Sequence, residues 1–167
     1  CNPFFITIGQ KLGKENFFKY FEAFGFTEKS GIDLPAEASP VADVTYHSLE
    51  KMGIAELSSS SFGQTFQVSP IQVVNAVSTI ANGGKLMQPY VVDSILDSDG
   101  NVIAKTQSKV KRQVISEKTA STVADMMENV VSKGTGKNAY VAGYHVAGKT
   151  GTSEKIGKEG AYIASFA

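Results

Sequence analysis

Apolar residues recur at helical spacing in the two opening segments of the chain. In CNPFFITIGQKLG, Phe4, Phe5, Ile8 and Leu12 fall three to four residues apart, and Gly13 can end the helix. In KENFFKYFEAFG, Phe17, Tyr20, Phe21 and Phe24 form one aromatic stripe before Gly25, the pattern of a helix burying one face in a core. From Thr27 to about Val44 periodicity disappears among Pro35, Pro40 and scattered polar residues, which predicts a long surface connection. SSSSFGQ, Ser58 to Gln64, reads as a second polar loop.

SPIQVVNAVSTIANGG carries the clearest helix signals: Ser69 as cap, Pro70 in the first turn and Gly83-Gly84 as the stop. Ile71, Val74, Ala76, Val77 and Ile80 are its expected buried side. KLMQPYVVDSIL and VIAKTQ alternate as strands around a tight turn at Asp99-Gly100, predicting a hairpin. ISEKTASTVADMMENVVSKG is another helix, capped by Ser116, with Ala120, Val123, Ala124, Met127 and Val130 on one face. YVAGYHVAGKTGT and AYIASFA flank SEKIGKEG as two further strands. Helices first, then a hairpin, a helix and a second hairpin predict an α+β fold with a mainly antiparallel sheet and flanking helices. We expect residues 1–85 to be mostly helical and 86–167 to contain the sheet.

Composition narrows the function classes. The chain has 167 residues and an ordinary apolar fraction of 42%, enough for one core. Sixteen basic residues balance sixteen acidic ones, so charge gives no argument for nucleic acid as a partner. Cys1 is the single cysteine, and His47 and His145 lack metal-ligand spacing; neither a metal nor a cofactor is expected. The sequence starts without Met and stops on a strand-like run, so both ends read as cuts through a larger protein.

The candidate chemistry lies in GYHVAGKTGT, Gly143 to Thr152, which fits two patterns. One is the phosphate loop G-x-x-x-x-G-K-[ST]; the other is the K-T-G triplet, Lys149-Thr150-Gly151, found on a strand beside a serine nucleophile. A phosphate loop must run into a helix, whose N-terminus holds the anion. Here Gly151, Gly157 and Gly160 follow within eleven residues, and no helix is expected. On a strand, Gly151 would instead let a substrate approach the backbone closely.

Cys1-Asn2 stands where an S-x-N motif would end. With SFGQTFQVSPIQVVNAVSTIANGGKLMQPYVV, GTGKNAYVAGYHVAGKTGT and YIASFA, the chain resembles the transpeptidase domain of class B penicillin-binding proteins of division and sporulation type over nearly its whole length. The resemblance implies an incomplete β-lactamase/transpeptidase-like fold with a helical subdomain. It implies a serine enzyme that attacks a D-Ala-D-Ala stem peptide, expels D-alanine and passes the acyl group to an amine, with β-lactams as mimics of the donor. By the same resemblance, Lys149 supplies charge near the substrate carboxylate and a proton-relay serine. Thr150 and Thr152 bind the carboxylate through their hydroxyls, the Thr152 N–H donates to the oxyanion, and Asn2 orients the substrate amide. Gly151 and Gln64 line the substrate's path.

Two S-x-x-K matches, Ser48 to Lys51 and Ser108 to Lys111, follow the S-x-N remnant, whereas the family's nucleophile precedes it. Both are read as coincidental, and the serine is expected upstream of Cys1, on a preceding part of the same protein. The resemblance further implies stem peptides, β-lactams and division or sporulation membrane proteins as partners, and a site outside the cell membrane, anchored by an upstream segment. A β-lactamase-type hydrolase and a non-catalytic β-lactam-sensing domain of the same fold remain as alternatives. His145 shares a face with Lys149 if the whole decapeptide is a strand, where packing is its expected role.

Overall fold

A computed structural model describes residues 1–155, 157–158 and 160–167. The SEKIGKEG connection contains Ile156 and Glu159, which lie outside the described residues. The chain is α+β: five α-helices and three two-stranded antiparallel sheets among those residues. It divides into two compact units, Cys1–Ala76 with Lys85–Val114, and Val77–Gly84 with Ile115–Ala167.

In the first unit, Gly13 takes φ 80° and ψ 153°, which favours glycine, and parts α1 (Asn2–Leu12) from α2 (Lys14–Ala23). The aromatic stripe of α2 is rotated from its expected setting. Phe21 is buried, with Phe26, Phe66 and Tyr46 rings 5.2, 5.3 and 5.7 Å from it, and Phe17 and Phe18 flank it, while Tyr20 turns outward. Rings from beyond the helix therefore choose which face is buried.

The serine run is a helix where a loop was expected. It forms α3 (Ile54–Ser60), and only Ser61 to Gln64 leave it as a turn. Serines disfavour helices when their hydroxyls compete for the backbone, but here they bond back within the helix, Ser58 Oγ to Ile54 O at 2.6 Å and Ser61 Oγ to Leu57 O at 2.6 Å. The Gly53 N–H donates to Glu56 at 3.0 Å and starts the turn. α1 lies on this helix through Gly9, where a β-carbon would fall 1.8 Å from Ser61 Oγ. Its residues Phe4, Phe5, Ile8 and Leu12 are exposed.

α4 (Pro70–Ala81) starts as predicted, with Ser69 and Gln72 reciprocally hydrogen-bonded, but its buried positions are Gln72, Ala76 and Thr79, and Val74 faces outward. The reason is the helix it serves. Gln72 Nε2 donates to the carbonyls of Glu28 at 3.0 Å and Gly25 at 3.2 Å, just past the end of α2. From the other side Arg112 Nε donates to Ala23 O at 2.8 Å and Nη2 to Glu22 O at 3.0 Å. Carbonyls at a helix end need such partners; Arg112 supplies them to the last residues of α2, and Gln72 holds the turn that follows.

The predicted hairpin is doubled. β1 (Lys85–Gln88) pairs with β4 (Lys109–Gln113), and β2 (Ser94–Leu96) pairs with β3 (Val102–Lys105) around the Gly100 turn. Lys109–Gln113 is therefore a strand outside the predicted hairpin. Asp33, on the long Thr27–Val44 connection, takes the N–H groups of Val91 and Val92 at 2.8 and 2.9 Å, and this breaks β1 from β2. Those two amides hold the Asp33 carboxyl below its usual value.

In the second unit, α5 (Glu117–Ser132) is capped by Ser116, whose Oγ accepts from Thr119 N at 3.1 Å, and buries Ala120 and Val131. A short 3₁₀ turn, Lys137–Ala139, follows. Residues 140–148, expected as a strand, make no ladder; Gly143 at φ 84° turns the chain instead. His145 consequently has no strand face to share with Lys149. It is 89% exposed, and its Nδ1 sits 2.8 Å from Glu128 Oε1 on α5. The hydrogen bond and the charge of Glu128 raise the His145 pKa. The last strands are β5 (Thr150–Glu154) and β6 (Tyr162–Phe166).

Two outcomes follow from these contacts. Gln72→Leu fills the same space but strips two carbonyls of their donor, and should lower unfolding free energy by about 2–4 kcal/mol, read as a lower urea midpoint with an unchanged slope. A raised histidine pKa adds stability that is whole below the ordinary value near 6.5 and is lost as pH rises through the raised value. Glu128→Gln should therefore lower the His145 pKa in an NMR titration and reduce stability at about pH 5.5. At pH 9 the variant and the parent should unfold alike.

Candidate active site

Lys149 stands on an extended segment. Its N–H donates to Ala167 O at 2.7 Å and its carbonyl accepts from Ala167 N at 3.2 Å, so the pairing of β5 with β6 begins one residue before Thr150. The chain then runs on as a strand through Glu154. A phosphate loop needs a helix there, and this geometry excludes one.

The register fixes which backbone groups face outward. Lys149 and Ala167 exchange both hydrogen bonds, and Lys155 N donates to Ala161 O at 2.8 Å. In an antiparallel ladder such pairs alternate with pairs that exchange none. Thr150 and Thr152 oppose Phe166 and Ala164 at the intervening positions. Their N–H and C=O groups point away from β6, along an edge with no strand partner among the described residues. That edge offers two donors and two acceptors at the spacing of an extended peptide.

The side chains sort by the same alternation. Lys149 Nζ bends back to Thr150 O at 2.6 Å, putting its ammonium over the open edge. Thr150 Oγ1 lies 3.0 Å from Thr135 Oγ1. A β-carbon on Gly151 would meet Ser165 Oγ at 2.6 Å, so a side chain there would force the Ser165 hydroxyl aside. At Gly148 a β-carbon would meet the Phe166 ring at 2.4 Å, and the Gly148 N–H donates to Met127 O at 3.3 Å. Ring and helix thus deliver the chain to β5 at Lys149.

Asn2 and Gln64 belong to the first unit. Asn2 is the first residue of α1 and is exposed. Gln64 is half-buried in the turn after α3, its N–H donating to Ser59 O at 3.1 Å. The two S-x-x-K lysines are held elsewhere: Lys51 Nζ is 3.1 Å from Asp43 and Lys111 Nζ is 2.7 Å from Glu28. Burial would raise the Glu28 carboxyl, but hydrogen bonds and charge from Lys111 and Arg112 outweigh it and hold the group below its usual value. Each of these lysines is thus engaged by a carboxylate far from Lys149 in sequence. No group of three or more metal-binding side chains occurs among the described residues.

Thr135 went unnoticed in the sequence. It lies in the KGTGKNA segment, where the glycines draw attention and the threonine between them reads as loop filler. Its partner Thr150 is fifteen residues on, and only the folded geometry joins them.

Comparison with known proteins bears on the family and the fold. The family described as penicillin binding protein transpeptidase domain matches residues 1–167. Stage V sporulation protein D of Bacillus subtilis (strain 168) is 45% identical over 164 residues, covering 98% of this chain and 25% of that protein. A peptidoglycan D,D-transpeptidase FtsI homolog of Mesostigma viride is 29% identical, covering 97% of this chain and 30% of that protein. The D,D-transpeptidase domain of a peptidoglycan glycosyltransferase from Eggerthella lenta superposes with a TM-score of 0.80 at 30% identity, over 99% of this chain and 42% of that one. Penicillin binding protein 3 of Mycobacterium tuberculosis, complexed with aztreonam, gives 0.83 at 26% identity, over 97% and 37%. This chain spans about a quarter of the length of the curated relative at 45% identity. The α+β transpeptidase fold expected from motif order is borne out. The chain belongs to the penicillin-binding protein transpeptidase domain family.

Proposed function

We propose that these residues form the substrate-holding part of a serine D,D-transpeptidase that cross-links peptidoglycan stem peptides and is acylated by β-lactams. The observation that carries this reading is the open β5 edge, where Thr150 and Thr152 present outward N–H groups beside the Lys149 ammonium.

The donor peptide adds to that edge as an extended strand, ending in D-Ala-D-Ala. A serine from outside these residues attacks the penultimate carbonyl, and negative charge builds on its oxygen. The Thr152 N–H, fixed by the ladder and free of an internal partner among the described residues, donates to that oxygen; one such donor lowers the barrier by about 3 kcal/mol. Lys149 and the Thr150 and Thr152 hydroxyls receive the terminal carboxylate. Gly151 lets the peptide lie against the strand, Asn2 orients its amide, and Gln64 borders its path. The C–N bond to the last residue breaks and D-alanine leaves with the proton from the serine; an amine of a second stem peptide then attacks the serine ester, whose C–O bond breaks as the amine's proton returns to the serine oxygen. No cofactor is needed.

The 45% likeness to Stage V sporulation protein D supports a role in making spore wall, with sporulation membrane proteins as partners. The work is done outside the cell membrane. No helix among the described residues is long and apolar enough to cross one, so the anchor in this reading is a separate segment. A strain lacking the protein should divide normally and form no heat-resistant spores.

The nucleophile assignment has its own outcome. In a denaturing gel, fluorescent penicillin should label the full-length protein and leave residues 1–167 alone unlabelled. The label should persist, because a transpeptidase deacylates slowly toward water; rapid turnover would make the protein a β-lactamase-type hydrolase.

The oxyanion donor can be removed without touching the ladder. Proline at 152 deletes an N–H that β6 does not use. Thr152→Pro in the full-length protein should keep its melting temperature within a few degrees and be acylated about 10²–10³-fold more slowly, whereas Thr152→Ala, which keeps the N–H, should lose far less. Equal losses in both variants would remove the backbone donor from the reading.

A further inference from the structure

Thr135 meets Thr150 through a loop that has little freedom to place it elsewhere. The N–H groups of Gly134 and Gly136, on either side of it, both donate to Val130 O near the end of α5, at 3.1 and 2.9 Å. A β-carbon on Gly134 would lie 2.8 Å from that oxygen, and one on Gly136 would lie 3.3 Å from the Phe166 ring. Phe166 is the ladder partner of Thr150. The loop and the strand are thus packed on the same ring, and the two hydroxyls come within 3.0 Å.

A threonine hydroxyl has one proton and two acceptor lone pairs. Either oxygen could donate while the site is empty. Once the Thr150 hydroxyl donates a hydrogen bond to a carboxylate, the contact has a single workable direction: the Thr135 hydroxyl donates to Thr150 Oγ1. A donor behind a donor polarises the bond in front of it and removes rotamers that aim the proton elsewhere. The order is then Thr135 to Thr150 to carboxylate.

We propose that Thr135 is a positioning residue for recognition of the acyl donor's C-terminal carboxylate, its hydroxyl orienting and polarising that of Thr150. The proposal rests on the reading of Thr150 as a carboxylate-binding residue, and its test separates the two.

The test compares acylation of the full-length protein by benzylpenicillin and by its methyl ester, which lacks the negative carboxylate. Thr135→Val should slow the second-order acylation rate with the free acid about tenfold, the equivalent of one hydrogen bond, and barely change the rate with the ester. Thr135→Ser, which retains the hydroxyl, should stay within about twofold of the parent. A Thr135→Val/Thr150→Val double variant should be no slower than Thr150→Val alone, because the first hydroxyl acts through the second. Melting temperatures check folding, and Thr135→Ala replaces Thr135→Val if the added methyl displaces the loop.

Equal slowing of acid and ester by Thr135→Val, or a double variant slowed by the product of the single effects, would overturn the proposal. If Thr150→Val removes the preference for the acid while Thr135→Val leaves it intact, Thr150 keeps its role and Thr135 loses this one. If Thr150→Val leaves the preference untouched, the carboxylate reading of Thr150 falls and takes the proposal with it.

Discussion

The pairing of Lys149 with Ala167 is the constraint on which the candidate site depends. Because those two residues exchange both backbone hydrogen bonds, Thr150 and Thr152 must turn their N–H groups to the opposite edge. A register shifted by one residue would point those groups into β6 and turn those of Gly151 and Ser153 to the open edge. The residue types at 149, 150 and 152 have chemical meaning only at that phase. Main-chain donors also cost nothing to reorganise as charge develops, which side-chain donors on a loose loop would have to do.

Much of this was legible before folding, where the signal is local. Gly13, the Ser69 cap, the Gly100 turn and the Ser116 cap each act within a few residues, and each appears where the sequence puts it. The choice between a phosphate loop and a strand was also local, because glycines after Thr150 left no room for a helix. What stayed hidden depends on partners far along the chain. Gln72 reaches carbonyls more than forty residues earlier, and Arg112 reaches α2 from about ninety away. No periodicity within α4 could show that its buried face would carry an amide in place of Val74.

The two mistaken strand readings have one cause. The predicted strands omit Lys109–Gln113 and include residues 140–148, whose apolar and polar positions alternate. Alternation reports which side chains suit a pleated surface, while a strand exists only if a neighbour supplies hydrogen bonds. β4 obtains them from β1, and its charged side chains find Glu28 and the end of α2. Residues 140–148 have no such neighbour among the described residues, and the bonds from His145 to Glu128 and from Gly148 to Met127 tie them to a helix instead. Helix α3 reverses the error: serines that usually prefer loops are kept helical by bonding to their own helix.

The glycines of the Gly134 to Gly151 region explain why two unrelated patterns overlapped in one decapeptide. A phosphate loop uses glycine to bring backbone N–H groups around an anion, whereas here Gly143 turns the chain and the other glycines make space for protein. Gly148 and Gly136 lie against the Phe166 ring, Gly134 lies against the Val130 carbonyl, and Gly151 lies against Ser165. Phe166 is therefore the filler around which the loop after α5, the approach to Lys149 and the β5 strand are assembled. Gly148, just before the K-T-G triplet, is small for that physical reason, and the hydroxyls of Thr135 and Thr150 meet where the Gly136 loop and the β5 strand both come close to one aromatic ring.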